Sequence, residues 1–155
     1  MEQKTKVHAE DGKQDLIITR EFELPVSLLF KAFTEAEFVT QWMGTRVLKL
    51  ESKKHGSYRF ETTNAQGIVV LNAHGAIHEL IPDQKIIRTF EMQNAAFGVQ
   101  LEIYDFIPIT ESTSKLHMHI IYESAVLRDQ VLKLPFAQGI NWAHNRLQEN
   151  MKKLK

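Results

Sequence analysis

The chain contains no cysteine, which excludes disulfide staples, thiolate nucleophiles and Cys-ligated metal sites together. Nor is there an excess of charge: Lys plus Arg and Asp plus Glu number 19 each, so no overall field favours nucleic acid or an anionic membrane surface. The basic clusters Lys53-Lys54 and Lys152-Lys153-Lys155 read as solvated turns and ends. No segment approaches the roughly 18 unbroken apolar residues of a membrane span, and the first thirteen residues lack an apolar signal core. A cytoplasmic protein with neither nucleic-acid nor membrane partner is expected. A G-x-S-x-G elbow, a phosphate loop and a dinucleotide glycine fingerprint are also missing, so the motif-bearing enzyme classes lack support and no cofactor is expected. His78-Glu79 opens like a zinc-protease helix, but Pro82 stands in the place of the second histidine.

What remains is an ordinary globular composition. Apolar residues make up 43% and charged residues 25% of 155 positions, enough for one packed core and too short for a second domain of any size. Residues 1–13 read as a flexible lead and residues 14–155 as a single domain. From Asp15 to Leu24 the side chains alternate, with Leu16, Ile18, Arg20, Phe22 and Leu24 against Ile17, Thr19, Glu21 and Glu23, as on a half-buried strand. Pro25 suits the first turn of a helix, and Val26, Leu29, Phe30 and Phe33 follow at helical spacing. Thr34 and Glu37 have capping-box spacing ahead of Phe38, Val39, Trp42 and Met43, which predicts a second short helix ending at Gly44.

Between Thr45 and Glu123 five to six β segments are separated by His55-Gly56, Asn64 to Gly67, Pro82-Asp83, Asn94 to Gly98 and Thr110 to Ser114. Strands joined in this way form an antiparallel meander. Beyond Pro135 the period returns to that of a helix of roughly 18 residues. Phe136, Ile140, Ala143 or His144, Leu147, Met151 and Leu154 share one side; Asn141, Asn145, Glu149 and Lys152 lie opposite. Such an element order buries its apolar surfaces by laying the long helix across one face of the sheet. The expected architecture is therefore α+β of the helix-grip type: a curved antiparallel sheet of about six to seven strands, two short helices after strand one, and a long C-terminal helix across the concave face. A curved sheet and one rod leave an elongated hollow, where a small ligand would sit.

Several stretches carry a further likeness: Ile18-Thr19-Arg20-Glu21-Phe22 leading to Pro25, Phe30 to Thr34, Gln41-Trp42-Met43-Gly44, Gly56-Ser57-Tyr58-Arg59-Phe60, Gly75 to Pro82, Lys85 to Glu91, and Gly139 to Leu147. Across roughly residues 15 to 153 the chain resembles the bacterial branch of the activator of heat-shock-protein-90 ATPase family. That family lies within the START-like (SRPBCC, Bet v 1-like) superfamily, which also holds polyketide cyclases and lipid-transfer domains. The resemblance implies the helix-grip fold. It also implies a choice among roles, since members include chaperone regulators and presumed carriers. Where many members show two tryptophans, Gly and Pro after the second short helix, this chain has Trp42-Met43-Gly44-Thr45, beside the expected cavity mouth.

Seven side chains are singled out as candidate ligand contacts: Trp42, Tyr58, Phe60, Arg88, Tyr104, Trp142 and His144. His144 shares the helix face of Ile140, Leu147 and Met151, where an unpartnered polar group costs roughly 1–3 kcal/mol and so needs a protein partner, water or ligand. The family more often has a bulky uncharged residue there. Arg88 lies between Ile86 and Phe90 in the alternation; a break in alternation at a sheet end would set it outward or at the rim. Turned inward, it demands a carboxylate, from Glu102 on the next strand or from an acidic ligand. Tyr and Trp each carry a polar tip that needs a partner when buried. His117 and His119 oppose the apolar Leu116, Met118 and Ile120, so they belong on the outer face and no metal site is expected. His74 and His78 stand about 13 Å apart along an extended strand, too far for joint ligation.

Three functional readings follow. The first is a domain binding a small apolar or amphipathic molecule in an internal cavity. The second, from the family resemblance, is a chaperone-interacting activator of an ATPase. The third is a cyclase-like or hydrolytic cavity enzyme using His144 as acid or base. Monomer and homodimer both remain open.

Overall fold

The computed structural model describes residues 4–93 and 95–155. Among them are eight strands, β1 (Lys6–His8), β2 (Asp15–Phe22), β3 (Arg46–Leu50), β4 (Ser57–Thr63), β5 (Val69–Ile81), β6 (Lys85–Met92), β7 (Val99–Pro108) and β8 (Ser114–Ile121). Four helices accompany them: α1 (Val26–Thr34), α2 (Ala36–Met43), α3 (Ala125–Leu132) and α4 (Phe136–Lys152). The strands form one sheet in the order β1-β2-β8-β7-β6-β5-β4-β3, and every neighbouring pair is antiparallel.

This order explains the two short helices. After β2 the chain must cross to the far edge of the sheet, and α1 and α2 carry it there. From β3 onward it meanders back until β8 pairs with β2. Register shifts between Val47 and Lys49, Thr62 and Thr63, and Ile77 and Glu79 fall in the β3–β6 half. Such bulges bend a strand and increase its twist, which gives that half its curl.

Strict alternation on β2 and β8 buries Leu16, Ile18, Phe22, Leu116, Met118 and Ile120 on one face. On that face α4 seats Leu147 and Met151, both fully buried in the main core. Burying an aliphatic side chain of this size contributes roughly 1.5–3 kcal/mol, so these two positions anchor the helix. A smaller cluster of Val39, Tyr58, Phe60 and Ile77 fills the space under α2. Gly44 closes α2 in the left-handed conformation at φ 62°, as the sequence implies.

Several expectations are corrected. The sheet has eight strands rather than six to seven. Within the lead read as flexible, residues 1–3 lie outside the described residues, but Lys6–His8 form an edge strand on β2. The capping box fails: Glu35 takes the N-cap of α2 without a side-chain hydrogen bond, and the Thr34 hydroxyl donates to the Phe30 carbonyl instead. Leu154 lies past the end of α4 and is exposed. Helix α3 was not foreseen; Ser124 caps it by accepting from the Leu127 N–H. Of the turn expected from Asn94 to Gly98, Asn94 lies outside the described residues.

Gly75 marks the tightest approach in the sheet. A Cβ there would lie 1.9 Å from the Thr89 carbonyl oxygen and 2.7 Å from the Tyr58 hydroxyl, the two atoms that form a 2.5 Å hydrogen bond. Gly75→Ala is expected to cost about 1–3 kcal/mol through forced displacement of packed backbone. Urea denaturation reads it, and an unchanged midpoint would show that the sheet yields freely here.

Candidate functional site

Between the sheet, α2 and α4 lies a hollow of about 580 Å³. Its walls are largely apolar, with Phe33, Trp42, Phe90, Met118 and Ile140 among them. Leu134, Pro135 and Gly139 at one end are exposed, whereas Arg88, Glu102, Tyr104 and His144 are buried. The polar groups therefore sit at depth behind an apolar mouth.

Arg88 and Glu102 face each other across β6 and β7 as register partners. The rim or outward position considered for Arg88 is overturned: alternation holds, and the residue is only 7% exposed. Its Nε donates to Glu102 Oε1 at 2.8 Å, and its Nη2 donates to the Tyr104 hydroxyl at 2.9 Å. Tyr104 donates in turn to Glu102 Oε1 at 2.8 Å, while Gln100 Nε2 donates to Oε2 at 2.8 Å. The guanidinium also stacks between two rings, 4.7 Å from the centroid of Tyr58 and 5.0 Å from that of Tyr104. Burial works against its charge, but Tyr104, Tyr58 and Glu102 outweigh burial and hold its pKa above the ordinary value. Burial pushes the Tyr104 hydroxyl well up, with Arg88 opposing, so this phenol stays protonated.

His144 lies at the foot of the α4 face, 1% exposed. Its Nδ1 is 2.8 Å from the Thr5 hydroxyl, and its ring packs edge-on against Phe22, centroids 5.7 Å apart. Behind it, buried Arg20 donates to Asn145 Oδ1 at 2.7 Å and to the Thr5 hydroxyl oxygen at 3.3 Å. Desolvation first, and then the Arg20 charge, lower the pKa of His144 to about 3, so the imidazole is neutral. Thr5 Oγ1 accepts from Arg20, and its direction toward His144 Nδ1 depends on the ring tautomer: where the hydroxyl donates, the ring proton sits on Nε2.

The structure thus brings Trp42, Arg88, Tyr104 and His144 to one hollow. Tyr58 and Phe60 pack beside it in the smaller cluster, where Tyr58 supports the Arg88 guanidinium from below. Trp142 is misplaced by the sequence reading: it is 65% exposed, two residues before His144 and so about 200° around the helix, with Arg146 stacked on its ring at 5.4 Å. His117 and His119 lie on the face opposite Leu116, Met118 and Ile120, as alternation requires. There His119 Nε2 meets Asp15 Oδ2 at 2.7 Å, a bond that lowers the Asp15 pKa. Among the described residues, no three metal-ligating side chains cluster.

Sequence reasoning passed over Arg20, Thr5 and the inward contacts of Asn141 and Asn145. Arg20 carried a signal, because it falls in the same alternation as Leu16, Ile18 and Phe22. Asn141 and Asn145 are placed by period opposite the apolar stripe, yet both accept from Arg20, and Asn141 also accepts from the Thr5 N–H at 2.9 Å.

The family model described as "Activator of Hsp90 ATPase homolog 1-like protein" matches residues 23–152. No curated protein matches the chain. Among solved structures, a protein from Rhodobacter sphaeroides is similar with a TM-score of 0.85 at 19% identity, over 98% of this chain and 99% of that one. Protein Ms6760 from Mycobacterium smegmatis gives a TM-score of 0.82 at 18% identity, over 94% and 95% of the respective chains. A protein from Arthrobacter aurescens gives 0.84 at 12% identity, over 96% and 91%. Likeness at these identities shows the shared helix-grip fold. No helix among the described residues is long and apolar enough to cross a membrane.

Proposed function

The chain belongs to the Activator of Hsp90 ATPase homolog 1-like protein family, and from that premise we propose that it is a small-molecule-binding domain that encloses an apolar or amphipathic ligand between its sheet and α4. The observation that carries this reading is the hollow of about 580 Å³ with Arg88, Tyr104 and His144 held at its depth. Ligand pockets typically span about 300–1,000 Å³ and are mostly apolar with a few placed polar groups. Affinity comes from burial against the apolar wall, and orientation from the polar end.

Native mass spectrometry of freshly purified protein should show a co-purified small molecule, and Nile red should bind the emptied hollow. Ile140→Trp, which fills the space from α4, is expected to weaken Nile red binding at least about tenfold, a loss of roughly 1.4 kcal/mol, while the thermal midpoint holds. Undiminished binding in that variant would place the dye elsewhere and remove the reading.

A second reading, contact with a chaperone ATPase, is supported by the family description together with an exposed apolar tip at Ile68, Val69 and Val70, outside the hollow. Stimulation of a chaperone ATPase that Ile68→Ser and Val70→Ser abolish would favour it. Catalysis by His144 is disfavoured on physical grounds. A general base serves best with a pKa near the working pH, and at about 3 this ring is a hydrogen-bonding group rather than a proton acceptor.

A further inference from the structure

We infer that the hollow selects an uncharged amphiphile whose polar tip is a hydrogen-bond acceptor, a ketone or ester carbonyl, and that it excludes the matching carboxylate; this rests on the ligand-binding reading above. Glu102 accepts three hydrogen bonds of the about four a carboxylate can take: Oε1 from Arg88 Nε and Tyr104, and Oε2 from Gln100. The Tyr104 hydroxyl both donates to Glu102 and accepts from Arg88 Nη2. The buried N–H groups left over outnumber the acceptors. Among the described residues Arg88 Nη1 has no hydrogen-bond partner, and neither does His144 Nε2, a donor in the tautomer in which Thr5 donates to Nδ1; both residues line the hollow. A ligand therefore has to bring an acceptor.

It gains nothing by bringing a charge as well. Arg88 and Glu102 are ion-paired at 2.8 Å and cancel. Tyr58, Tyr104 and Tyr122 stay protonated because burial raises each of them, and His144 is neutral. Three further charges lie close without lining the hollow, and each is already bonded: Arg20 to Asn145, Arg128 to Asp129, and Glu123, which accepts from the Val99 N–H. A buried carboxylate without a counter-charge of its own costs several kcal/mol, whereas a carbonyl oxygen meets the free donors at little cost. Arginine in an apolar pocket would ordinarily suggest a fatty acid site; the prior claim of Glu102 on that arginine reverses the expectation.

Methyl decanoate and decanoate differ at the tip alone, and displacement of Nile red from the full chain compares them. At about pH 8 the ester is expected to bind at least about tenfold tighter than the acid. The acid's Kd should fall about tenfold per unit as pH drops toward its carboxyl pKa, near the 4–5 of a Glu side chain, because only its protonated form enters. Glu102→Gln, which frees Arg88, is expected to raise the acid's affinity relative to the ester at least about tenfold. Acid binding as tight as ester at pH 8, with no pH dependence, overturns the charge selectivity while leaving the hollow as a binding site. Failure of Nile red and of both probes to bind removes the underlying reading, and this inference with it. Should Glu102→Gln not fold, the pH series on the unaltered chain decides alone.

Discussion

Arg88→Met is expected to lower the unfolding free energy by about 3–5 kcal/mol, the cost of leaving a buried carboxylate without its partner. Glu102 would keep Tyr104 and Gln100 as donors but lose the opposite charge that makes burial tolerable. That loss is a large fraction of the roughly 5–15 kcal/mol by which a domain of this size is stable. The double variant Arg88→Met with Glu102→Leu removes both charges and fills similar volume, and it should recover most of the deficit. Urea denaturation of the two variants beside the parent chain measures both effects. A single-variant cost below about 1 kcal/mol would mean that water reaches Glu102 through the hollow and solvates it, so that the polar end is not dry.

Acid should unfold this protein partly through one residue. Folding lowers the pKa of His144 from its ordinary 6.5 to about 3. Between those values the unfolded chain carries a proton that the folded chain refuses, so stability is fully present above pH 6.5 and falls as pH drops. The slope reaches up to about 1.4 kcal/mol per pH unit. His144→Gln lacks the titrating group. It is expected to start less stable near neutrality, having lost the Thr5 contact, and then to decline more gently, so that the two stability curves converge in acid. Parallel curves from about pH 7 to pH 4 would show that the ring accepts its proton without penalty, contrary to a site that dry.

Where neighbouring residues repeat a pattern, the fold could be read directly. Leu16-Ile18-Phe22 and Leu116-Met118-Ile120 declare two strands and their inner faces, and the rod of Ile140, Leu147 and Met151 declares what covers them. From a meander and parity alone, Arg88 could be set opposite Glu102, and the register bears this out. The failures have local causes. Lys6-Val7-His8 has no apolar alternation of length, because β1 is held by backbone pairing to β2. Helix α3 is only eight residues long and its apolar residues form no clear stripe; distant contacts help to fix it, among them Arg128 Nη1 donating to the Glu10 and Asp15 carbonyls. Trp142 was drawn to the pocket by its ring, although its phase on α4 points it to solvent. Arg20 and Asn145 lie 125 positions apart, and no local pattern announces a pair so separated. The candidate site was thus half legible: its apolar walls followed from period, Arg88 was set outward or at the rim with inward pairing to Glu102 as the alternative, and the support behind His144 depended on contacts between distant parts of the chain.

Those stitched ends bear on how the molecule is made. Thr5 is tied to Asn141 and His144, and α4 comes after every strand in the chain. During synthesis every strand leaves the ribosome before α4 does, so the apolar inner face of the sheet waits for its cover. Emergence of α4, rather than of any strand, is the moment at which this domain first owns an interior.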